Sequence, residues 1–314
     1  MQITTFTQTK LALGSDVTLT FSASIDENDA EIIFNKLWLT IYRFEKNFSR
    51  FIPTSELMKL NFRAGQKVPI SKAMYRILRK CIELSEITDG LFNPFVLPTL
   101  HKLGYKKSFV ENYTSDYQED FENRDLLAPD KLELDERFAM IPENSAIDLG
   151  GIGKGYLADM LCKSKTTSDL HGFWCSIGGD VAGFGKSSLG DWKLGIQNAH
   201  NPDERLLEFD NQKDIFHIAT SGTILRKGEN EKGSWHHIIN PKTGKSADSD
   251  VLLATLDSQS TTEADVFASC AIILGSNKAI DWLKKRDVGS ALLQLKNGDF
   301  TGYGFLYNMA MGNL

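Results

Sequence analysis

Residues 146–159 read AIDLGGIGKGYLAD. Short apolar residues run into Gly150, Gly151, Gly153 and Gly155, and a helical pattern begins at once. Glycine lets the backbone approach a ligand closely and supplies positive φ. Lys154 adds a cation, and the N–H groups and dipole of a helix start favour an anion. The two common nucleotide-loop patterns nevertheless fail here. Tyr156 follows Gly155 where a Walker A loop needs Lys-Ser/Thr, and the spacing does not meet G-x-G-x-x-G. On this segment alone, an anion site and a tight strand-to-helix turn without a ligand both stay open.

Outward from this segment, strands and helices come in mixed order without steady βαβ alternation. Val17, Leu19 and Phe21 alternate with Thr18, Thr20 and Ser22, which predicts a strand. Residues 26–48 carry Ile33, Leu37, Ile41, Phe44 and Phe48 at helical spacing. Ser71 is placed to cap a second helix with Met74, Leu78, Cys81 and Leu84 on one face. Residues 106–145 are polar and acidic and read as an elaborated loop region. Residues 155–164 read as a third helix, and glycine-punctuated strands run over 173–218. Residues 225–235 (LRKGENEKGSW) read as a charged, flexible loop. A strand over 252–256 leads to a helix capped by Thr261 or Thr262 and stopped at Gly275. Residues 279–285 form a last helix, and a hairpin turning at Asn297-Gly298 closes the chain. This order predicts an α+β fold rather than a doubly wound sheet. No repeat or linker interrupts it, so a single domain over residues 1–314 is expected.

Composition bounds the function. With 314 residues, 41% apolar and 24% charged, the chain is neither disordered nor a disulfide scaffold. The net charge of −6 argues against nucleic acid as a main partner, since phosphate backbones select basic faces. A single nucleotide is still compatible with it. No run reaches 18 apolar residues, so no membrane span is expected. The start, MQITTFTQTKLALG, lacks a charged region followed by an apolar stretch, and no cysteine lies near it, so a cytoplasmic location is expected. Cys81, Cys162, Cys175 and Cys270 are widely spaced and read as buried free thiols.

Two further segments carry candidate chemistry. Residues 261–275 read TTEADVFASCAIILG, with Asp265 and Ser269 four apart on one helix face. A carboxylate and a hydroxyl so placed suit a hard cation such as magnesium, which takes oxygen ligands. The alternative is an acid favouring the helix dipole, with Ser269 packed against backbone. Residues 235–244 read WHHIINPKTG, a short strand with two histidines followed by a turn. An inward-pointing imidazole there is either a general base or a hydrogen-bonded structural group. No second His/Cys cluster has zinc spacing.

Taken together, the order and spacing of these blocks resemble the ApbE family of flavin transferases. The resemblance runs from about Leu13 to Gly275. It includes Leu13-Gly14-Ser15, FSRFIPTSELMKLN at 48–61, TDGLFNPFVLPTL at 88–100 and DLGGIGKGYLAD at 148–159. SIGGDVAGFG at 176–185, ATSGT at 219–223, HIINPKTG at 237–244 and EADVFAS at 263–269 complete it. Leu13 stands where methionine is usual, Phe51 where tyrosine is frequent, Asn93 and Asn240 where aspartate is, and Ser269 where threonine is.

The resemblance implies a T-fold-like α+β molecule with FAD in a cleft between a larger and a smaller portion. It implies Mg²⁺ held by the Gly151 carbonyl, Asp265, Ser269 and the nearby Ala268 carbonyl. FAD contacts then fall on Leu13, Phe51, Leu91, Phe92, Asn93, Asp148, Lys154 and Ile239; His237, directly before Ile238-Ile239, matches the histidine implicated in transfer, and Asp265 is the other implied catalytic residue. The implied activity is covalent flavinylation: FMN moves from FAD to a threonine or serine of an acceptor protein carrying a Ser/Thr-Gly-Ala-Ser/Thr type motif, and AMP is released. Some members hydrolyse FAD to FMN and AMP, and a non-catalytic FAD-binding protein is a third reading. Intact Asp265, Ser269 and His237 favour the enzymes.

Overall fold

A computed structural model describes residues 2–108, 121–231 and 233–312. In chain order the elements are β1 (Thr4–Ala12), β2 (Ser15–Ala23), α1 (Glu27–Phe48), α2 (Glu56–Phe62), β3 (Val68–Pro69), α3 (Lys72–Ile87) and α4 (Leu97–Leu103). There follow β4 (Glu133–Leu134), β5 (Phe138–Met140), α5 (Gly153–Cys162), β6 (Gly172–Ile177), β7 (Asp180–Gly185), β8 (Trp192–Gln197), β9 (Arg205–Asn211) and β10 (Ile215–Gly222). The chain continues with β11 (Lys227–Asn230), β12 (Gly233–His236), β13 (Ile239–Asn240), β14 (Lys245–Ser246), β15 (Val251–Asp257), α6 (Thr261–Leu274), α7 (Ser276–Lys284), β16 (Ser290–Leu295), β17 (Phe300–Tyr303) and α8 (Gly304–Gly312). The fold is α+β, as the mixed order of elements predicts. The chain forms two compact units: Met1–Tyr42 with Lys154–Gly222 and Ser249–Leu314, and Arg43–Gly153 with Thr223–Asp248.

The larger unit is built on an eight-stranded sheet of order β1-β2-β6-β7-β10-β15-β16-β17. Every neighbouring pair is antiparallel. The register aligns Leu19 with Cys175, Cys175 with Ala182 and Ala182 with His217, so these side chains share one face. Helices cover that face. Phe21 packs on Phe34 of α1, Cys175 Sγ lies 3.8 Å from the Ala158 carbonyl of α5, and His217 meets Thr261 of α6. On the opposite face, Phe216, Ile218 and Leu292 join Trp192, Leu194, Ile196, Leu207 and Phe209 of the β8–β9 hairpin and Leu306 of α8 in one apolar cluster. The smaller unit holds α2, α3 and α4, a three-stranded sheet of order β3-β5-β4, and the hairpins β11–β12 and β13–β14. Ser71 caps α3 as expected, accepting the Met74 N–H at 3.1 Å.

Several local expectations need correction. Residues 225–235 are not a loop: Lys227–Asn230 pairs with Gly233–His236, anchored by buried Trp235. The cap of α6 is Ser260, whose hydroxyl accepts the Glu263 N–H, and Thr261 is already helical. The hairpin turning at Asn297-Gly298 does form, but α8 follows it and buries Leu306 and Ala310. Helix α5 begins at Gly153 rather than Gly155. The short helices α2 and α4, of 7 residues each, carry too few turns to show a period. Of the expected loop over 106–145, residues 109–120 lie outside the described residues, and β4 and β5 lie in the rest. No helix of the described residues is long and apolar enough to cross a membrane.

Candidate functional site

In the larger unit, loop ends gather at one end of the sheet. Leu13 and Gly14 form the two-residue β1–β2 turn with φ of 55° and 65°, the positive pair that a type I′ hairpin demands. Gly178, in the β6–β7 turn, donates its N–H to the Asp16 carbonyl at 3.1 Å, which seats one turn against the other. The Lys154 side chain passes Gly178 and forms an ion pair with Asp180, which is fully buried. The cation expected for a phosphate therefore already has a carboxylate partner within its own unit.

Helices α5 and α6 bring the other candidates together. Asp265 is only 3% exposed, and its Oδ2 accepts the Gly155 N–H at 3.2 Å. A Cβ at position 155 would lie 2.5 Å from the Thr261 carbonyl oxygen and 2.9 Å from Asp265 Cβ. Glycine at 155 is thus required by the close approach of the two helices. One turn further along α6, Ser269 Oγ lies 2.9 Å from Ser221 Oγ, at the end of β10, and Ser221 Oγ also approaches the Asp265 carbonyl at 3.5 Å. Ala268 is fully buried inside α6. The donors are one carboxylate, hydroxyls and carbonyls, all hard oxygens, which suits magnesium rather than zinc. Among the described residues, no group of three or more His, Cys, Asp or Glu is placed to hold a metal ion.

The smaller unit holds the remaining candidates around a buried arginine. Arg50, 4% exposed, sets its Nε 3.3 Å from Asp148 Oδ1 and donates from Nη1 to the Tyr105 carbonyl at 2.9 Å. Its guanidinium lies over the rings of Phe51 and Tyr105, at 4.2 and 4.3 Å from the centroids. Phe51 and Ile239 pack in one apolar cluster with Leu100, Tyr105 and Trp235. The Asp148 N–H donates to the Pro94 carbonyl at 2.7 Å, which ties the start of the glycine segment to the 91–94 loop. Leu91 and Phe92 are buried there, and the Phe92 ring packs beside Gly151. Asn93 caps the next turn by accepting the Phe95 N–H at 2.9 Å, and its Nδ2 donates to the Leu127 carbonyl at 2.8 Å. An aspartate has no hydrogen to make the second bond, which accounts for the amide at this position.

The two adjacent histidines separate by their partners. His236 Nε2 lies 2.9 Å from the Ala247 carbonyl, and its main chain exchanges two bonds with the Ser246 hydroxyl. It is held as a structural group. His237 Nδ1 lies 3.3 Å from the Arg226 carbonyl, which also accepts the His237 N–H at 3.1 Å. A carbonyl only accepts, so Nδ1 carries the hydrogen and the neutral ring has its lone pair on Nε2. That is the tautomer a general base needs at Nε2.

The four cysteines are free thiols, as expected. Burial pushes Cys81, Cys175 and Cys270 well above the ordinary thiol range and Cys162 up to about 12, so none is a poised thiolate.

The profile of the ApbE family matches residues 13–293. The chain belongs to the ApbE family. It is similar to an FAD:protein FMN transferase of Klebsiella pneumoniae (strain 342), with 25% identity over 276 residues, 86% of this chain and 84% of that one. It is also similar to an FAD:protein FMN transferase of Treponema pallidum (strain Nichols), with 26% identity over 247 residues, 74% and 68% of the two chains. Among solved structures, the ApbE protein of Thermotoga maritima superposes with a TM-score of 0.82 at 21% identity, covering 97% of this chain and 98% of that one. The apo form of the Pseudomonas stutzeri flavinyl transferase ApbE gives 0.79 at 19% identity, covering 100% and 98%. These two structures establish the ApbE fold.

Four residues of this ApbE chain were not singled out from sequence: Arg50, Asp159, Asp180 and Ser221. Each bonds to a candidate site residue or to the helix that carries one. All four lie inside blocks that carry the family resemblance, Arg50 in 48–61, Asp159 in 148–159, Asp180 in 176–185 and Ser221 in 219–223, and that was the available signal.

Proposed function

We propose that this chain moves FMN from FAD to a threonine or serine hydroxyl of an acceptor protein and releases AMP. The acceptor oxygen attacks the phosphorus of the FMN half, the phosphorus–oxygen bond to the AMP phosphate breaks, and AMP leaves with that oxygen. Nε2 of His237 accepts the hydroxyl proton, because Arg226 holds the hydrogen of the neutral ring on Nδ1. Asp265, Ser269 and the carbonyls of Gly151 and Ala268 are the proposed holders of Mg²⁺, which when bound spreads charge off the phosphoryl oxygens. The Gly155 N–H orients the Asp265 carboxylate for that role. Leu13, Phe51, Leu91, Phe92, Asn93, Asp148, Lys154 and Ile239 are the proposed FAD contacts, with Arg50 fixing Phe51 and Asp148.

The observation that carries this reading is the hard-oxygen set of Asp265 with Ser269 on α6, in a chain whose family relatives are flavin transferases. The test is chromatography of AMP and FMN after incubating the protein with FAD and Mg²⁺, with and without a protein bearing a Ser/Thr-Gly-Ala-Ser/Thr segment. AMP formed only with acceptor, and flavin fluorescence retained on the denatured acceptor, is the expected result. Equal AMP and free FMN without acceptor would make the chain an FAD hydrolase instead.

A further inference from the structure

Asp159 lies on α5, is 7% exposed, and directs its carboxylate to Thr261 and Thr262, which are not among the residues proposed to hold FAD or the cation. Its carboxylate is spent on the start of another helix. Oδ1 accepts the Thr261 N–H at 3.0 Å, Oδ2 accepts the Thr262 N–H at 2.9 Å, and the Thr262 hydroxyl donates to Oδ2 as well. These are two of the four N–H groups that a helix start leaves without an intrahelical partner. Ser260 already caps α6 through the Glu263 N–H at 3.2 Å. A capping serine alone suffices to begin a helix. Desolvating a carboxylate as well is costly unless it is fully bonded, so the second cap does something the first does not: it ties α6 to α5.

The tie is extended on both sides. His217 of β10 places Nδ1 3.3 Å from Asp159 Oδ1 and 3.1 Å from Thr261 Oγ1. Desolvation by burial lowers the His217 pKa, against the pull of Asp159. The imidazole is therefore neutral near pH 7, and it is the N–H groups and dipole of α6 that balance the Asp159 charge. The Thr261 hydroxyl donates to the Val181 carbonyl at 3.2 Å, next in the chain to Asp180, the partner of Lys154. Asp265 follows Thr261 by one helical turn, and Ser269 by two, on the same face. A shift in where α6 starts is carried directly to both oxygens, and to the contact between the Gly155 N–H and Asp265 Oδ2.

We infer that Asp159 is a positioning residue for the cation site: by fixing the start of α6 against α5, it sets the Asp265 and Ser269 oxygens in binding register. This rests on the reading of Asp265 and Ser269 as the Mg²⁺ holders. The test is calorimetric titration of MgCl₂ into FAD-saturated protein, well below the melting temperature. The variants are Asp159→Asn, Asp159→Glu, Ser260→Ala and Asp265→Ala. Asp159→Asn turns one acceptor oxygen into a donor that faces an N–H, and Asp159→Glu keeps the charge but changes its reach. Each should raise the Mg²⁺ dissociation constant on the order of tenfold, the usual scale for partners that orient a metal ligand. FAD binding without Mg²⁺ should stay within about twofold, the scale of a change well under 1 kcal/mol. Ser260→Ala weakens the α6 cap without touching the tie, and should lower the melting temperature while leaving Mg²⁺ binding within the same margin. Wild-type Mg²⁺ affinity in whichever Asp159 variant folds, or an equal loss in Ser260→Ala at a matched melting temperature, overturns the inference. If Asp265→Ala also binds Mg²⁺ normally, the cation-site reading itself falls and takes the inference with it. If Asp265→Ala loses Mg²⁺ while the Asp159 variants keep it, only the positioning role is lost.

Discussion

The two units of the chain fix their charged side chains by different means. Around α5 and α6, buried carboxylates accept main-chain N–H groups: Asp159 from Thr261 and Thr262, Asp265 from Gly155. Around Arg50, a buried guanidinium is held by ring faces, a carbonyl and one carboxylate. Main-chain N–H groups at helix starts are set by the fold itself, so the oxygens they orient are preorganised and move little. The Arg50 guanidinium instead lies over the Phe51 and Tyr105 rings, which are tilted by 51° to each other, so a charge is held by apolar faces inside its own unit. The first arrangement offers hard oxygens of the kind a small hard cation takes, and the second locks a buried ion pair into the smaller unit.

Removing a residue from the first arrangement should cost the reaction most. Asp265→Ala should lower the transfer rate on the order of 10⁴-fold, the equivalent of about 5 kcal/mol of lost charge stabilisation. The measurement is AMP release under saturating FAD, over a Mg²⁺ series. A loss under tenfold would mean that α6 does not serve the phosphoryl group, and the contrast between the units would lose its chemical meaning. His237→Ala should follow, with a loss of about 10³-fold, inside the usual range for a general base. Its FAD affinity, followed by flavin fluorescence quenching, should hold within about twofold because the ring is assigned to the proton and not to binding. A normal rate in this variant removes His237 from the proton transfer.

The second arrangement should show its loss in stability before chemistry. Arg50→Met leaves Asp148, with a side chain only 10% exposed, without its guanidinium, and leaves the Tyr105 carbonyl without its donor. Breaking a buried pair from one side costs about 3 kcal/mol or more. Urea unfolding with an unchanged slope should report it. Arg50→Lys should recover little of the loss, since an ammonium neither forks nor stacks as a guanidinium does. Full recovery by lysine would show that charge alone matters here, and would bring the smaller unit closer in kind to the larger.

What the sequence made legible follows the range of the interactions. Asp265 and Ser269 were readable because their relation is local, four residues on one helix. The strand over Val17, Leu19 and Phe21 and the cap at Ser71 were readable for the same reason. Asp159 was not, because its partners lie 102 and 103 residues away at Thr261 and Thr262, and no periodicity encodes that pairing. Arg50 is separated from Asp148 by almost as much chain, and inside FSRF it reads as a surface cation. The β11–β12 hairpin escaped notice because charges and glycines occupy it, and Trp235 is its only buried side chain among the described residues. The division into units was invisible for a different reason. One of its breaks, at Tyr42–Arg43, falls inside α1, where the helical pattern is continuous and no linker composition marks it.

The smallest expected effect sits at a turn whose backbone conformation disfavours the residue that occupies it. Leu13 holds φ of 55° at the first central position of the β1–β2 turn, where the following Gly14 adopts 65° without penalty. An ordinary L-residue in this conformation costs roughly 1–2 kcal/mol. Asparagine tolerates it and, followed by glycine, is the preferred pair for a type I′ hairpin. Leu13→Asn should therefore raise stability by about 1 kcal/mol, after some loss of the half-buried leucine side chain, with the gain read as a higher urea midpoint at constant slope. The same variant should bind FAD several-fold more weakly if the strained leucine is kept for contact with the ligand, because backbone strain of this kind persists at sites that use it. Greater stability with unchanged FAD affinity would free Leu13 from the site and leave the turn a local imperfection. Lower stability would show that the leucine's packing outweighs its strain. Greater stability with weaker binding would place the larger unit's contribution to FAD at its hairpin tip as well as at α5 and α6.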